Sequence, residues 1–311
     1  MPVFGPVPSR RLGRSLGINN IPPKICTYAC VYCQLGRPVK MQTKREVFFK
    51  PSQLQREIET RLAEITDPDE YPDYLTFVPD GEPLLDRGFG EELTFLKEKK
   101  LKTAVISNAS LLGDPAVRNE LTEADWVSVK VDSVHENIWH KINRPVRSLN
   151  FNSILEGIME FRRKFNGTLV TETMLVKDVN DSAALIDTLT DYLSDLKPAT
   201  SYISIPTRPP AENWVAPPDG ETITRAYEQY TKKNIPAELL ISYEGDDFTP
   251  GKDFKNDILS ICSVHPMRQE AVDRLLARHG ESVTALQKLV KNKLLLKLFY
   301  GDNTFYLRKL K

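Results

Sequence analysis

Short β-branched runs closed by Gly, Pro or Asp alternate along this chain with stretches of helical period, which limits it to folds assembled from βα units. Strands are expected at Leu12–Ile18, Tyr74–Val78, Thr103–Ser107, Trp126–Val131, Leu169–Val176 and Tyr202–Ile205, with Leu239–Tyr243 as a seventh. Between the first two, Ser52-Gln53-Leu54-Gln55 reads as a capping box for a helix carrying Leu54, Ile58 and Leu62. Asn152 is expected to cap a second helix, with Leu155, Ile158 and Met159. Asp181 is expected to open a third, whose Leu185, Leu189, Tyr192, Leu193 and Leu196 share a face. Periodicity leaves open whether such units close into a barrel or form an open sheet. The stretch Pro206–Pro218, with five prolines and Trp214, is extended or turn-rich, either as a linker or as a loop folded over a site.

The pattern changes near the C-terminus. Val272, Leu275 and Leu276 mark a helix that Gly280 ends, and Val283, Leu286, Leu289 and Val290 mark another. Leu294–Tyr300 and Thr304–Leu310 then flank Gly301-Asp302-Asn303 as a β-hairpin. Helix, turn, helix and hairpin together are expected to form a small winged-helix module, so the chain divides into a main domain, 1–255, and a second, 256–311.

With 311 residues, 41% hydrophobic and 27% charged, the chain can bury a sizeable core, which excludes disordered and fibrous classes. No stretch approaches the ~18 to 20 consecutive apolar residues of a membrane span, and the N-terminus lacks the apolar run of a signal peptide. A cytoplasmic protein with no membrane partner is expected. The 42 basic and 42 acidic residues cancel, but not locally: residues 1–50 hold nine basic and one acidic, and residues 254–311 eleven basic and five acidic. Two basic ends therefore flank an acidic body, a pattern that suits an anionic partner.

Three of the four cysteines fall within eight residues, Cys26-Thr27-Tyr28-Ala29-Cys30-Val31-Tyr32-Cys33, while Cys262 lies far away. A cytosolic cluster of this kind binds metal or does redox work more often than it forms structural bridges. Three thiolates on a short loop can each reach a different iron of a cubane and leave one iron open to a ligand. A zinc knuckle completed by Cys262 or a histidine, and a redox dithiol of Cys30 and Cys33, are the alternatives. His135, His140, His265 and His279 all lie over a hundred residues from the cysteine run, which disfavours zinc.

This C-x3-C-x2-C run, with aromatic Tyr32 before the last cysteine, resembles the cluster motif of the radical SAM superfamily. Asp80-Gly81-Glu82-Pro83, after the second expected strand, is similar to that superfamily's Gly-Glu-Pro turn. The resemblance implies a partial (β/α)6 barrel of the α/β class, holding a [4Fe–4S] cluster through Cys26, Cys30 and Cys33. It further implies that Tyr32, Gly81, Glu82, Pro83, Asn108, Lys130, Asp132 and Met174 line an S-adenosylmethionine site. In that site Glu82 meets the methionyl ammonium, Lys130 the carboxylate and Asp132 the ribose, with Glu172 and Asn180 as weaker candidates. The superfamily's glycine-containing motif on the fifth strand is missing.

Gly5-Pro6-Val7-Pro8-Ser9-Arg10-Arg11-Leu12-Gly13 and Ile142-Asn143-Arg144-Pro145 resemble a subgroup placed loosely with the wyosine-forming tRNA enzymes, which carries a C-terminal winged helix. The additional cysteines of a second cluster are missing here. By this resemblance the chain is an iron–sulfur enzyme that takes one electron from a flavodoxin- or ferredoxin-type donor. It cleaves S-adenosylmethionine to a 5′-deoxyadenosyl radical and removes hydrogen from a substrate. Arg10, Arg11, Arg144 and Arg208 are candidates for an anionic substrate. Lys288, Lys291 and Lys293 on the C-terminal module favour tRNA, with a protein or peptide as the alternative. A noncatalytic, metal-stabilised nucleic-acid-binding protein is the competing class.

Overall fold

A computed structural model describes residues 2–241, 253–264 and 266–309. Its strands are, in chain order, β1 (Val3–Ser9), β2 (Gly13–Ile18), β3 (Ile25–Cys26), β4 (Lys40–Met41), β5 (Tyr74–Phe77), β6 (Lys102–Ser107), β7 (Trp126–Lys130), β8 (Thr168–Met174), β9 (Thr200–Ser204), β10 (Ala237–Leu240), β11 (Met267–Arg268), β12 (Leu295–Tyr300) and β13 (Asn303–Arg308). Its helices are α1 (Pro51–Ala63), α2 (Phe89–Glu98), α3 (Pro115–Leu121), α4 (Glu136–Asn143), α5 (Phe151–Lys164), α6 (Ala183–Leu196), α7 (Gly220–Lys232), α8 (Phe254–Val264), α9 (Gln269–Arg278) and α10 (Val283–Lys291). The chain divides into two compact units. One is Met1–Ile25, Glu46–Thr103 and Tyr243–Lys311; the other is Cys26–Arg45 and Ala104–Ser242.

In the second unit β6, β7, β8, β9 and β10 lie side by side, every pair parallel, with helices supplying the crossovers. Trp126-Val127-Ser128-Val129 is buried without interruption, as a strand covered on both faces requires. On the neighbouring strands, Thr171 and Ser201 share a 2.8 Å hydrogen bond between their hydroxyls. Each expected strand from Thr103 onward in this unit is present within a residue or two. The last was expected to run to Tyr243; β10 ends at Leu240, and Ser242 and Tyr243 lie outside the described residues.

Helix starts differ from the expectation at three places. Pro51 occupies the first turn of α1, where its fixed φ and missing N–H cost nothing, so Lys50 rather than Ser52 precedes the helix. Asn150, not Asn152, caps α5, accepting from the Ser153 N–H at 2.9 Å. Ser182, not Asp181, caps α6. For α5 and α6 a residue one or two positions away had equivalent capping chemistry, and the apolar face selected the register, whereas α1 starts at its proline with no side-chain cap.

In the first unit β2 pairs parallel with β5 and antiparallel with β1, a strand whose prolines hid it from the sequence pattern. The C-terminal part of this unit is a small antiparallel sheet, ordered β11-β13-β12, packed with α8, α9 and α10. Phe254, Ile258, Val272, Leu275 and Leu286 form its core, and Val7 of β1 packs against it. The helix, turn, helix and hairpin of the sequence reading correspond to α9, α10, β12 and β13. Strand β11 and helix α8 were not anticipated. Gly280 has the left-handed φ of 63° expected after α9. The expected hairpin strand ran to Leu310, which lies outside the described residues, as does His265.

The first unit holds a buried acidic pair, Asp86 and Glu92. Glu92 of α2 is 2% exposed and Asp86 fully buried; Asn20 donates to Glu92 at 3.3 Å and to the Pro83 carbonyl at 3.2 Å. Burial first, and the Asp86 carboxylate second, push the Glu92 carboxyl far above the usual range. The native state therefore keeps a proton that the unfolded chain has already released, so stability is greatest at low pH and declines as pH rises above the unfolded carboxylate value. Each unit of upward displacement is worth about 1.4 kcal/mol. The melting temperature is expected to fall by several degrees between pH 6 and pH 9, and Glu92→Gln is expected to flatten that dependence. A variant as pH-sensitive as the parent would exclude Glu92 as the cause.

Candidate metal and cofactor site

The cysteine loop of the second unit is fastened to the C-terminal end of α4. The Ala29 N–H donates to the Asn143 carbonyl at 3.0 Å, and Val31 N–H to Ile142 at 2.9 Å. Val146 N–H reaches back to the Thr27 carbonyl at 3.0 Å. Arg144, with φ 46°, ends α4 in the left-handed conformation, and Pro145 keeps the helix from resuming. Tyr28 meets Trp139 edge to face at 5.8 Å and accepts its indole N–H at 3.1 Å. The Cys33 N–H donates to the Cys30 carbonyl at 3.1 Å, closing a turn that keeps these two cysteines adjacent.

Side-chain amides donate to the thiols of Cys26 and Cys30. Asn108, just beyond β6, donates to Cys26 Sγ at 3.5 Å and to the Thr27 hydroxyl at 2.8 Å. Asn143 donates to Cys30 Sγ at 3.4 Å. Burial, followed by the Asp132 carboxylate, pushes the Cys30 thiol up to about 12, so Cys30 stays a thiol near neutral pH unless a cation compensates its charge. Cys26, Cys30 and Cys33 are each half-buried, whereas Cys262 is buried in the first unit. Among the described residues no three Cys, His, Asp or Glu side chains already converge as a metal-ligand set, so ligation requires the thiols of this loop to turn toward one centre.

Asp132, beyond β7, accepts from the Tyr32 hydroxyl, from Asn143 at 2.8 Å and from the Met174 N–H at 2.8 Å. Lys130 donates to Glu172 at 3.1 Å, lies 3.9 Å from Asp132 and sits 4.9 Å over the Tyr32 ring. Burial opposes its charge, but Glu172 and then Asp132 outweigh that and raise its pKa. Ser204 donates to Glu172 at 3.2 Å, and Asn180 holds the Asp132 and Met174 carbonyls at 2.9 Å each. Tyr32, Lys130, Asp132 and Met174 therefore form one connected network with Asn143 around Cys30. In it Lys130 and Asp132 are engaged by neighbours from this same unit.

The first unit holds the Gly81-Glu82-Pro83 turn. The Glu82 N–H donates to the Ile25 carbonyl at 3.2 Å, and its buried carboxylate accepts from the Leu84 N–H at 3.2 Å, capping a short 3-10 turn at Pro83–Leu85. Asp80 is 1% exposed, and burial pushes its carboxyl up to about 7 against the opposing pull of Arg308 and Lys24. Arg10 and Arg11 lie in the turn between β1 and β2, at the end of the strands opposite to Gly81. Arg11 there lines a depression of about 460 Å³ with Lys100, Lys102, Asp73 and Tyr74.

In the second unit the proline-rich stretch is a loop and not a linker. Its Glu212 N–H donates to the Val31 carbonyl at 3.1 Å, and Glu212 takes Arg144 at 2.6 Å and Arg37 at 2.9 Å. Arg208 donates to Gln34 at 2.9 Å. Arg144 and Arg208 thus brace this loop and the cysteine loop together.

The chain matches the radical SAM superfamily over residues 20–189. It belongs to that superfamily. It is 41% identical over 311 residues to UPF0026 protein MJ1312 of Methanocaldococcus jannaschii, covering 99% of this chain and 96% of that one, so it also belongs to the UPF0026 group. A radical SAM methyltransferase from Sphaerobacter thermophilus aligns with 73% of the chain and 67% of its own, at TM-score 0.55 and 14% identity. Streptococcus suis SuiB bound to S-adenosylmethionine aligns with 72% of this chain and 49% of its own, at TM-score 0.53 and 13% identity. The α/β radical SAM fold is shared with both. Membership brings the superfamily's cofactors, a [4Fe–4S] cluster and S-adenosylmethionine, and its need for an external electron donor.

The residues present fit the cluster: three soft sulfur donors stand on one braced loop, with two amide N–H groups aimed at sulfurs where they would offset thiolate charge. The sequence reading did not assign Asn143 or Glu212 a role. Asn143 is a polar residue on the inward face of α4, buried to 3%, and that misfit was the available signal. Glu212 lies in an irregular segment that carries no periodic signal.

Proposed function

We propose that Cys26, Cys30 and Cys33 hold the [4Fe–4S] cluster and that the network of Tyr32, Lys130, Asp132 and Met174 borders S-adenosylmethionine. When bound, the cluster would supply the single electron that cleaves S-adenosylmethionine to methionine and a 5′-deoxyadenosyl radical, the species that would take hydrogen from substrate. The chain's own residues set the stage for that chemistry. Asn108 and Asn143 support the sulfurs, and Tyr32 ties the cysteine loop to β7 through Asp132. The observation that carries the reading is the pair of amide donors on two sulfurs of one C-x3-C-x2-C loop. Within the first unit, Gly81, Glu82 and Pro83 are assigned as the methionyl-binding turn on their likeness to the superfamily's motif.

For substrate we favour tRNA. The support is the basic depression lined by Arg11, Lys100 and Lys102, together with the basic composition of residues 254–311. Residues 256–311 would act as a recruiting domain on the main domain, 1–255. In the test, anaerobically reconstituted protein is incubated with dithionite and S-adenosylmethionine, with and without bulk tRNA, and 5′-deoxyadenosine is quantified. Reductant-dependent product is expected, rising with tRNA at low salt. Fully loaded protein that neither binds S-adenosylmethionine nor forms product would overturn the enzyme reading. Product formation that is insensitive to tRNA, with no tRNA retention, would transfer the substrate role to a protein or peptide.

A further inference from the structure

Residues 34–45, which follow the last clustered cysteine, carry Arg37, Lys40, Lys44 and Arg45 and no acid. Arg45 is folded onto Glu120 and is 15% exposed, so it belongs to the body of the second unit. Arg37 keeps 71% of its side chain exposed even while paired to Glu212, and Lys40 and Lys44 are exposed. Among these cations Val39 is 71% exposed and Met41 38%. Neither side chain is covered as a residue of the hydrophobic core would be. A small apolar centre with a basic rim is the composition of a transient protein interface, and association steered by charge is how weak, fast redox encounters are made productive.

The position of this surface gives it a meaning. Strand β4, whose two residues are both exposed, forms a two-stranded sheet with β3, which ends at Cys26. The Gln42 N–H donates to the Cys26 carbonyl at 3.1 Å. One backbone hydrogen bond thus separates the exposed segment from a cysteine of the cluster loop, a short route for an electron. A nucleic acid would need stacking platforms or a phosphate track. This segment offers aliphatic side chains and three exposed cations.

We propose that residues 37–44 are the docking face for a small acidic one-electron donor protein of the ferredoxin type. The proposal rests on the cluster assignment above. In each encounter the donor is oxidised by one electron, and the cluster held by Cys26, Cys30 and Cys33 is reduced by that electron, with no bond made or broken in either protein.

The test uses the full chain with its cluster and a purified acidic ferredoxin. Binding is measured by calorimetry at low and high salt, and 5′-deoxyadenosine formation is driven in parallel by reduced ferredoxin or by dithionite. Lys40→Glu/Lys44→Glu is expected to weaken ferredoxin binding at least tenfold and to remove most of its salt dependence. Ferredoxin-driven product should fall in proportion, while dithionite-driven product is unchanged. Val39→Ser, which alters no charge, is expected to weaken binding severalfold and serves if the double variant does not fold. Failure of dithionite-driven cleavage in the parent protein would count against the proposed function and leave the binding arm readable. Parent protein that does not bind ferredoxin at low salt, or variants that bind it as the parent does, would overturn the docking face. Variants that lose tRNA and keep ferredoxin would assign the surface to RNA.

Discussion

Iron content is expected to drop from about four per chain to near zero when Cys26, Cys30 and Cys33 are replaced together by alanine. Each single replacement should leave only a small fraction, because a cubane held by two thiolates exposes a second iron and is readily lost. Cys262→Ala should retain the full complement. Its thiol is 2% exposed within the core of the C-terminal sheet and helices, and burial pushes it up to about 12. The five variants are compared by iron and sulfide determination after anaerobic reconstitution, alongside melting curves of the metal-free proteins. The metal-free curves should differ little for the loop cysteines, which are only half-buried. Full iron in the triple variant, or its loss in Cys262→Ala alone, would sink the ligand assignment.

Gly81→Ala is expected to abolish S-adenosylmethionine binding and to destabilise the protein. A Cβ at position 81 would lie 1.8 Å from the Ile25 carbonyl oxygen and 2.8 Å from the Ile21 side chain. The oxygen is backbone and already accepts the Glu82 N–H, so relief requires the turn itself to move. Displacements of this kind cost roughly 1–3 kcal/mol. Moving the turn also disturbs Glu82, whose carboxylate is fixed on Leu84 N–H. Binding by calorimetry and stability by thermal melting read the two effects separately. A variant with parental affinity and melting temperature would show that the turn yields freely.

The repeating βα units were legible because buried parallel strands need unbroken apolar stretches such as Trp126–Val129, and amphipathic helices need periodic ones. The cysteine spacing was equally legible, since it is a local pattern. Strand β1 was not, because Pro6 and Pro8 mask a strand that pairs along only one side. Within the site, sequence pointed to Tyr32, Lys130, Asp132, Glu172 and Met174 one by one but not to which of them pair. Glu172 and Met174 lie on the adjacent parallel strand, and the register that brings Lys130 opposite Glu172 is a tertiary fact. Arg10 and Arg11 were grouped with Arg144 and Arg208 by charge alone; Arg144 and Arg208 brace loops of the second unit, while Arg10 and Arg11 lie in a turn of the first.

The Asn143 side chain has two amide hydrogens and faces three acceptors: Asp132 at 2.8 Å, Cys30 Sγ at 3.4 Å and the Tyr32 oxygen at 3.4 Å. The short contact to Asp132 claims one hydrogen. The sulfur and the phenol oxygen must share the other, and the more negative of the two attracts it more strongly. A sulfur that loses a proton to become a metal ligand gains that advantage. On the proposed ligation the amide would lean toward Cys30, while Tyr32 is tied to Asp132 through its own hydroxyl proton. Because hydrogen bonds to ligand sulfurs help set the reduction potential of a cluster, a single buried carboxamide would, on the proposed ligation, link the occupancy of the loop to the ease with which it accepts an electron.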